Sequence, residues 1–442
     1  MDIKKIDGQK CRCGEVHQIP IKDIIVKKEA LAELSNLFNK ITNMKKVYLV
    51  EDIHTKEAAG IKVKRLLQED GFKVEEILLQ KKEEREHLHP DTDALFKILA
   101  EAKNDGYMLA CGSGTINDLT AFAAHKMQMP YSVVATAPSM DGYASSVSSI
   151  TVNGVKQTYN TTAPELIIAD LEVLSAAPWE MLQSGLGDLL GKVSSLLEWK
   201  LGVVLFDEYF CPEAFDLIKD VLDSLIENTE AIKERKESGI KILIDGLINS
   251  GIAMMMVGSS RPASGTEHHI SHFFDMYAGI YQEEVPPHGI KVGTALAISS
   301  YFYLKLLKTD FSNFEFNHDR KERERNIKRV YLDKAPSILE LLDKRWQAEL
   351  ISKEYLLAKE DEIKKNIKSF EKYLSCAVPM LEDFSFFERE DVSNLNRDWL
   401  NKAINYSFEI RFRYTISTLL HQLGLLEEWG SEAVVELEKK LN

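Results

Sequence analysis

The sequence predicts an α/β nucleotide-binding domain with a parallel, Rossmann-like sheet, followed by an all-α domain. Three observations predict it. Strand-like and helix-like segments alternate from about residue 20 to residue 168. Two of the strand ends run into loops of glycine, serine and alanine. After Pro178 the strand pattern stops and amphipathic helices run to the end, placing a domain boundary near residue 177, between 1–177 and 178–442. Alternating strands and helices form a parallel sheet covered on both faces, and ligands then sit at the carboxyl ends of the strands.

Taken in order, residues 21–26 are an extended apolar run and residues 29–41 an amphipathic helix. Residues 46–52, KVYLVED, read as a buried strand ending in acids, and residues 55–71 as a helix stopped by Gly71. Residues 74–80 form a strand, and a helix opened by Asp91 or Thr92 follows. YMLACGSG is a strand running into glycines, TINDLTAFAAHKMQM a helix, and YSVVATAPS another strand. Residues 145–165 read as a short hairpin insert turned by Asn153 and Gly154, with a strand resuming at 166–168. The charge run HDRKERERNIKRV reads as a solvated helix face.

Composition narrows the function. The net charge is −14 with no basic block, which argues against nucleic-acid binding. The N-terminus leads into no apolar signal region, and apolar runs such as GTALAISSYFYL are too short to span a bilayer. Five cysteines, an odd number, do not make a disulfide framework, so a reducing cytoplasm is expected. Cys11, Cys13 and His17 in KCRCGEVHQ have a spacing that could hold a soft metal. With three ligands and no fourth in view, they are read as a turn that contains cysteines.

Small-residue loops mark one candidate site. Gly112, Ser113, Gly114 and Thr115 lie between a strand and a helix N-terminus, where backbone N–H groups can receive a phosphate. The same residues would serve as an ordinary tight turn, since Asp118 stands where a third glycine would complete the dinucleotide fingerprint. Asp52, at a strand end, suits an adenosine ribose or the start of a helix beside Thr55. Asp141, the one charge in ATAPSMDGYASS, suits a substrate hydroxyl or an Asp-Gly turn.

The second candidate site is GSSRPASGTEHHISHFFDMYAGIYQEEVPPHG, residues 258–289, which holds four of the eleven histidines. On a helix, His268 and His272 share one face. His288 follows two prolines at a loop-to-helix junction. Asp188 lies in SGLGDLLGK within another predicted helix. One carboxylate with two or three imidazoles suits a borderline divalent metal and leaves a position open for a substrate oxygen. Spacing does not rank His272 against His288, and His-Glu-x-x-His is absent.

In this order, GSGTINDLT, TAPSMDGYAS, SGLGDLLGK, GSSRPASGTEHHISH and PPHG resemble the sn-glycerol-1-phosphate dehydrogenases, bacterial type. These belong to the iron-type polyol dehydrogenases, which include glycerol dehydrogenase and share a dehydroquinate synthase-like fold. The resemblance covers roughly residues 20 to 300. It implies reduction of dihydroxyacetone phosphate to sn-glycerol 1-phosphate by NADH or NADPH, with a zinc or nickel ion, a reaction of phospholipid biosynthesis. It puts the metal ligands on Asp188, His268 and His288. His272, Asp141 and Asp188 fall on substrate-contacting positions, with Asp188 and His272 the catalytic pair. The nucleotide positions fall on Asp52, on Gly114, Thr115, Ile116, Asn117 and Asp118, on Thr136, Ala137, Pro138 and Ser139, and on Ser145. His269 matches no role and is taken as structural.

Chemistry agrees with that implication. A ketone accepts hydride when its oxygen is polarised, and His272 could help deliver a proton. Arg261 is the candidate for the substrate phosphate because a guanidinium meets phosphate bidentately; a structural salt bridge would use it equally well. An acid at Asp52 repels a 2′-phosphate, favouring NADH. The alternatives are a dehydrogenase of glycerol or another polyol, a dehydroquinate-synthase-like lyase and a non-catalytic NAD-binding protein. The expected protein is cytoplasmic, a homodimer or larger homo-oligomer, and acts on a small phosphorylated molecule without inserting in a membrane.

Overall fold

The computed structural model describes residues 6–82, 87–152, 155–314, 316 and 319–441, with the side chains of 155 and 156 excepted. The turn expected at Asn153 and Gly154 lies outside the described residues. By packing, the chain falls into two compact units. One is Met1–Leu189 with Cys211–Ser259, and the other is Leu190–Phe210 with Ser260–Asn442.

The first unit holds a six-stranded, wholly parallel sheet in the order β1-β8-β5-β4-β2-β3. Its strands are β1 (Asp23–Lys27), β2 (Lys46–Asp52), β3 (Lys73–Leu79), β4 (Tyr107–Gly112), β5 (Tyr131–Ala135) and β8 (Leu166–Asp170). β6 (Val147–Val152) and β7 (Val155–Asn160) form the separate antiparallel hairpin. Successive side chains in a strand point to opposite faces. Val47, Leu49, Leu109, Cys111, Val134 and Ile168 therefore share one core with Leu34, Phe38, Val63 and Leu67 from the covering helices. The alternate residues Tyr48, Val50, Met108 and Ala110 are buried as well, so both faces are covered. Asp91 caps the Thr92–Glu101 helix by accepting from the amides of Asp93 and Ala94.

From β2 the chain proceeds to β3 on one side, while β4 and β5 lie on the other. The order reverses between β2 and β4, and a crevice opens at such a point outside the carboxyl ends of the strands. Asp52 ends β2 and Gly112 ends β4.

After β8 every described element is helical or 3-10 helical. One correction concerns membrane-length helices. Glu237–Val257, 21 residues, is apolar and long enough to cross a bilayer. It is instead a core helix of the first unit, with Ile240, Leu243, Ile244, Leu247, Ile248 and Ile252 buried, and it packs on the Pro212–Glu227 helix. In the second unit, Thr266–Tyr281 and His288–Leu306 lie side by side, and the segment around Ser407–Ile410 supports the former. Beneath that segment, buried Arg323 meets both oxygens of Glu409 at 2.8 Å.

Candidate active site

The glycine loop after β4 is built as a strand-to-helix turn. Ser113 is the N-cap of the Gly114–Met127 helix in extended conformation. A side chain at Gly112 would meet Ile116 Cβ at 2.5 Å, so a bare backbone is required there. The helix's first amides lie at this glycine turn, the position on a helix that favours an anion, with the Met140 side chain packed close to Gly114. Asn117 donates to the Gly142 carbonyl at 3.2 Å, and Asp118 accepts from the Ser149 amide at 3.1 Å. Both residues hold neighbouring loops in place. Asp52 accepts from the Thr55 amide at 2.8 Å and donates its own amide to the Thr55 hydroxyl oxygen at 2.9 Å, a reciprocal cap. That uses Oδ1 of Asp52 as a helix-start acid; the carboxylate remains half-buried at the strand end.

The loop after β5 is held tightly. Thr136, Ser139 and Ser145 are buried. The Thr136 amide donates to the Gly112 carbonyl at 3.2 Å, joining the two small-residue loops. Tyr143 donates to the Ala137 carbonyl at 2.6 Å, and Ser184 to the Ser139 carbonyl at 2.9 Å. A Cβ on Gly185 would sit 1.9 Å from the Pro138 carbonyl oxygen, so the SGLGD run is glycine-bearing because a helix passes directly over this loop. Asp188 is fully buried on that helix, and its Oδ2 accepts from the Asp141 amide at 3.0 Å. Asp141 in turn accepts from the Ser250 hydroxyl at 2.8 Å. The first unit therefore brings together Asp52, both small-residue loops, Asp141 and Asp188.

In the second unit, His268 and His272 lie on Thr266–Tyr281, and His288 is the first residue of His288–Leu306, capped by Pro287. The ring centroids of His268 and His288 are 5.2 Å apart, those of His272 and His288 5.9 Å, and those of His268 and His272 6.2 Å. Three imidazoles thus converge where two helices meet. His269, one residue around the helix, is buried, and burial together with Arg413 and Arg411 pushes its pKa down, so it stays neutral and structural.

Residues that sequence reasoning did not single out hold this cluster. Glu267 Oε1 lies 2.7 Å from His268 Nδ1, the second-nitrogen contact that orients a ligating imidazole. Glu267 also accepts from the Gly265 amide at 2.6 Å and from the Ser194 hydroxyl. Burial pushes Glu267 up, but the His268 hydrogen bond and charge outweigh it and hold the carboxylate below its usual range. Glu198, buried beside it, is pushed up to about 8 by burial and then by the charge of Glu267. It accepts from the Thr266 amide at 2.9 Å. A Cβ on Gly265 would meet Glu198 at 2.5 Å and Glu267 at 2.9 Å, which is why the turn before the histidines carries glycine. Lys192 and Ser195 hold the same turn through the carbonyls of Ala263, at 3.1 Å, and Pro262, at 3.0 Å. His272 faces Asp275 at 3.7 Å, and Asp275 pairs with buried Lys291. The sequence signal was present in part: Glu267 adjoins His268, and Asp275 lies one helical turn past His272.

Arg261 is buried, and its guanidinium makes the ion pair. Nε and Nη2 meet the Glu208 carboxylate at 2.7 and 2.8 Å, and Nη1 donates to the Tyr414 carbonyl at 3.2 Å.

The donor chemistry fits a divalent ion: one buried carboxylate, and imidazoles of which one has its second nitrogen oriented by a buried acid. Comparison with known proteins agrees. A family model for iron-containing alcohol dehydrogenase matches residues 25–178. The chain is 36% identical to a glycerol-1-phosphate dehydrogenase [NAD(P)+] of Bacillus subtilis over 69% of its own length and 77% of that protein's. It is 31% identical to the Bacillus licheniformis protein of the same name over 96% of its length and 94% of the relative's, so the match extends through the helical tail. Among solved structures, an iron-containing alcohol dehydrogenase of Thermotoga maritima has a TM-score of 0.61 at 13% identity, covering 95% of this chain and 99% of that one, which speaks to the fold. Sheet order, loop chemistry, histidine cluster and these relatives converge: the chain belongs to the glycerol-1-phosphate dehydrogenase family.

Proposed function

We propose that this protein reduces dihydroxyacetone phosphate to sn-glycerol 1-phosphate, and catalyses the reverse oxidation, with NADH preferred over NADPH. The observation that carries the reading is its similarity, over most of its length, to enzymes named glycerol-1-phosphate dehydrogenase [NAD(P)+]. In this reading residues 1–177 bind the dinucleotide, residues 178–442 supply the metal ligands, and both contribute to the substrate through Asp141 and His272. It is a cytoplasmic homo-oligomer acting on a small molecule.

Asp188, His268 and His288 would hold one zinc or nickel ion, and the orientation of His268 by Glu267 supports this. When bound, the ion supplies Lewis acidity to the ketone oxygen. The chain's own groups do the rest. Backbone amides from Gly114 onward receive the dinucleotide diphosphate, and Asp52 accepts from a ribose hydroxyl while repelling a 2′-phosphate. Thr136, Ala137, Pro138, Ser139 and Ser145 line the nucleotide. Asp141, oriented by Ser250, accepts from a substrate hydroxyl. The carbonyl carbon takes a hydride and its oxygen a proton, which His272 delivers with Asp275 facing its ring. Arg261 is given no phosphate contact, because Glu208 and Tyr414 engage it.

The test is oxidation of NADH with dihydroxyacetone phosphate against dihydroxyacetone, in protein loaded with nickel or zinc. Turnover should require the phosphate. Equal or better turnover of the free ketone would convert the reading to a polyol dehydrogenase.

A further inference from the structure

The N-terminal cysteines acquire a fourth partner in the structure. Cys11, Cys13, His17 and Cys211 each offer one ligand atom, and these atoms all lie within 4.8 Å of one another. Cys11 and Cys211 sulfurs are 3.5 Å apart, Cys13 Sγ and His17 Nε2 3.4 Å, and Cys211 Sγ and His17 Nε2 3.5 Å. A tetrahedral zinc with bonds of about 2.3 Å to sulfur and about 2.0 Å to nitrogen has edges of about 3.8 Å between sulfurs and about 3.5 Å from sulfur to nitrogen. The Cys11–Cys211, Cys13–His17 and Cys211–His17 pairs stand close to these edges.

The surroundings are built to hold them. Lys10 and Val16 pair as an antiparallel bridge, and the Cys11 amide donates to the Glu15 carbonyl at 2.9 Å. The reversal is closed by Gly14, whose φ of +95° needs a glycine. This hairpin presents Cys11 and Cys13 at its tip and His17 just past its end. His17 and Cys211 are buried. Cys211 is the N-cap of the Pro212–Glu227 helix, where the helix dipole favours a thiolate. Cys11 Sγ donates to Glu213 Oε2 at 2.7 Å; that proton is the one a metal would displace. Glu213 is otherwise clamped by Arg12, through the Arg12 amide and Nε, both at 2.8 Å.

We propose that Cys11, Cys13, His17 and Cys211 bind one structural zinc ion, separate from the catalytic ion, that pins the N-terminal hairpin to the Pro212–Glu227 helix. Three thiolates and one imidazole make a closed coordination set with no open position for substrate, which suits structure rather than catalysis. A Cys11–Cys211 disulfide is the competing use of these atoms. It would engage only two of the four groups and needs a bond of about 2.05 Å.

The test replaces bound metal with cobalt(II) in the full-length protein. A thiolate-to-cobalt charge-transfer band in the near ultraviolet is expected, because only this site offers sulfur. The band should disappear in Cys13→Ser and Cys211→Ser and persist in His268→Ala and Cys376→Ser. Should the serine variants fail to fold, titration of the unaltered protein with an organomercurial keeps the question open to decision. One equivalent of zinc per chain should be released as these thiols react. Absence of the cobalt band, its survival in Cys211→Ser, mercurial titration without zinc release, or an intact mass showing a Cys11–Cys211 disulfide would each overturn the proposal.

Discussion

Glu51 gives a prediction whose size follows from the structure. It is the next-to-last residue of β2, is fully buried, and neither carboxylate oxygen has a hydrogen-bond partner among the described residues. Its side chain occupies the space left by Gly60, where a Cβ would lie 1.6 Å from Oε2. Burial pushes the carboxyl up from 4.5 to about 7; the charge of Glu76 adds to this, and Lys56 and Lys64 oppose it. The folded chain therefore prefers the protonated acid. Its contribution to stability is complete below the unfolded value and is lost as pH rises through about 7. At ~1.4 kcal/mol per pH unit, the loss between these limits is about 3 kcal/mol. For a cooperative unit of this size that is roughly 6–12 °C in Tm. Glu51→Gln keeps the shape and removes the ionisation. It carries a constant cost of about 1–3 kcal/mol for a buried amide without partners. Thermal unfolding of both proteins from about pH 5 to about pH 8 should show the variant gaining on the parent by the predicted margin as pH rises. Parallel curves across that window would refute the reasoning, because they would mean that Glu51 ionises in the folded chain as it does in water.

Four further outcomes are expected. Asp188→Asn, His268→Ala and His288→Ala should each lose bound metal and turnover by elemental analysis and assay, and full occupancy in all three would end the ligand assignment. Glu267→Gln leaves every ligand in place but should weaken metal binding by roughly 10–100-fold in chelator competition; unchanged affinity would remove its orienting role. Asp52→Asn retains the helix cap and removes the charge, so KM for NADH should rise and relative use of NADPH improve, whereas an unchanged ratio would leave Asp52 as a cap alone. His272→Ala should keep its metal and lose turnover on the order of 10²-fold, with a pH–rate limb of the parent absent or displaced; a metal-free variant would make His272 a ligand instead.

Much of the first unit was legible because its signals are local. The apolar runs of β2 and β4, the Asp91 cap and the glycines after β4 declare themselves within a few residues, and each stands where the sequence put it. The same holds for His268 and His272 on one helix and His288 at the start of the next. The motifs also carried the family. Pairings between distant residues were decided only by tertiary structure. Arg261 could have met a phosphate or an acid, and only the folded chain brings it the bidentate carboxylate of Glu208, 53 residues earlier. Glu51 looks like a strand-end acid until the helix bearing Gly60 seals it from water. Cys11, Cys13 and His17 were an incomplete ligand set in sequence, because Cys211 stands 200 residues from Cys11. Period and capping are properties of a short segment, whereas a partner for a buried charge or a fourth ligand exists only once the chain has closed on itself.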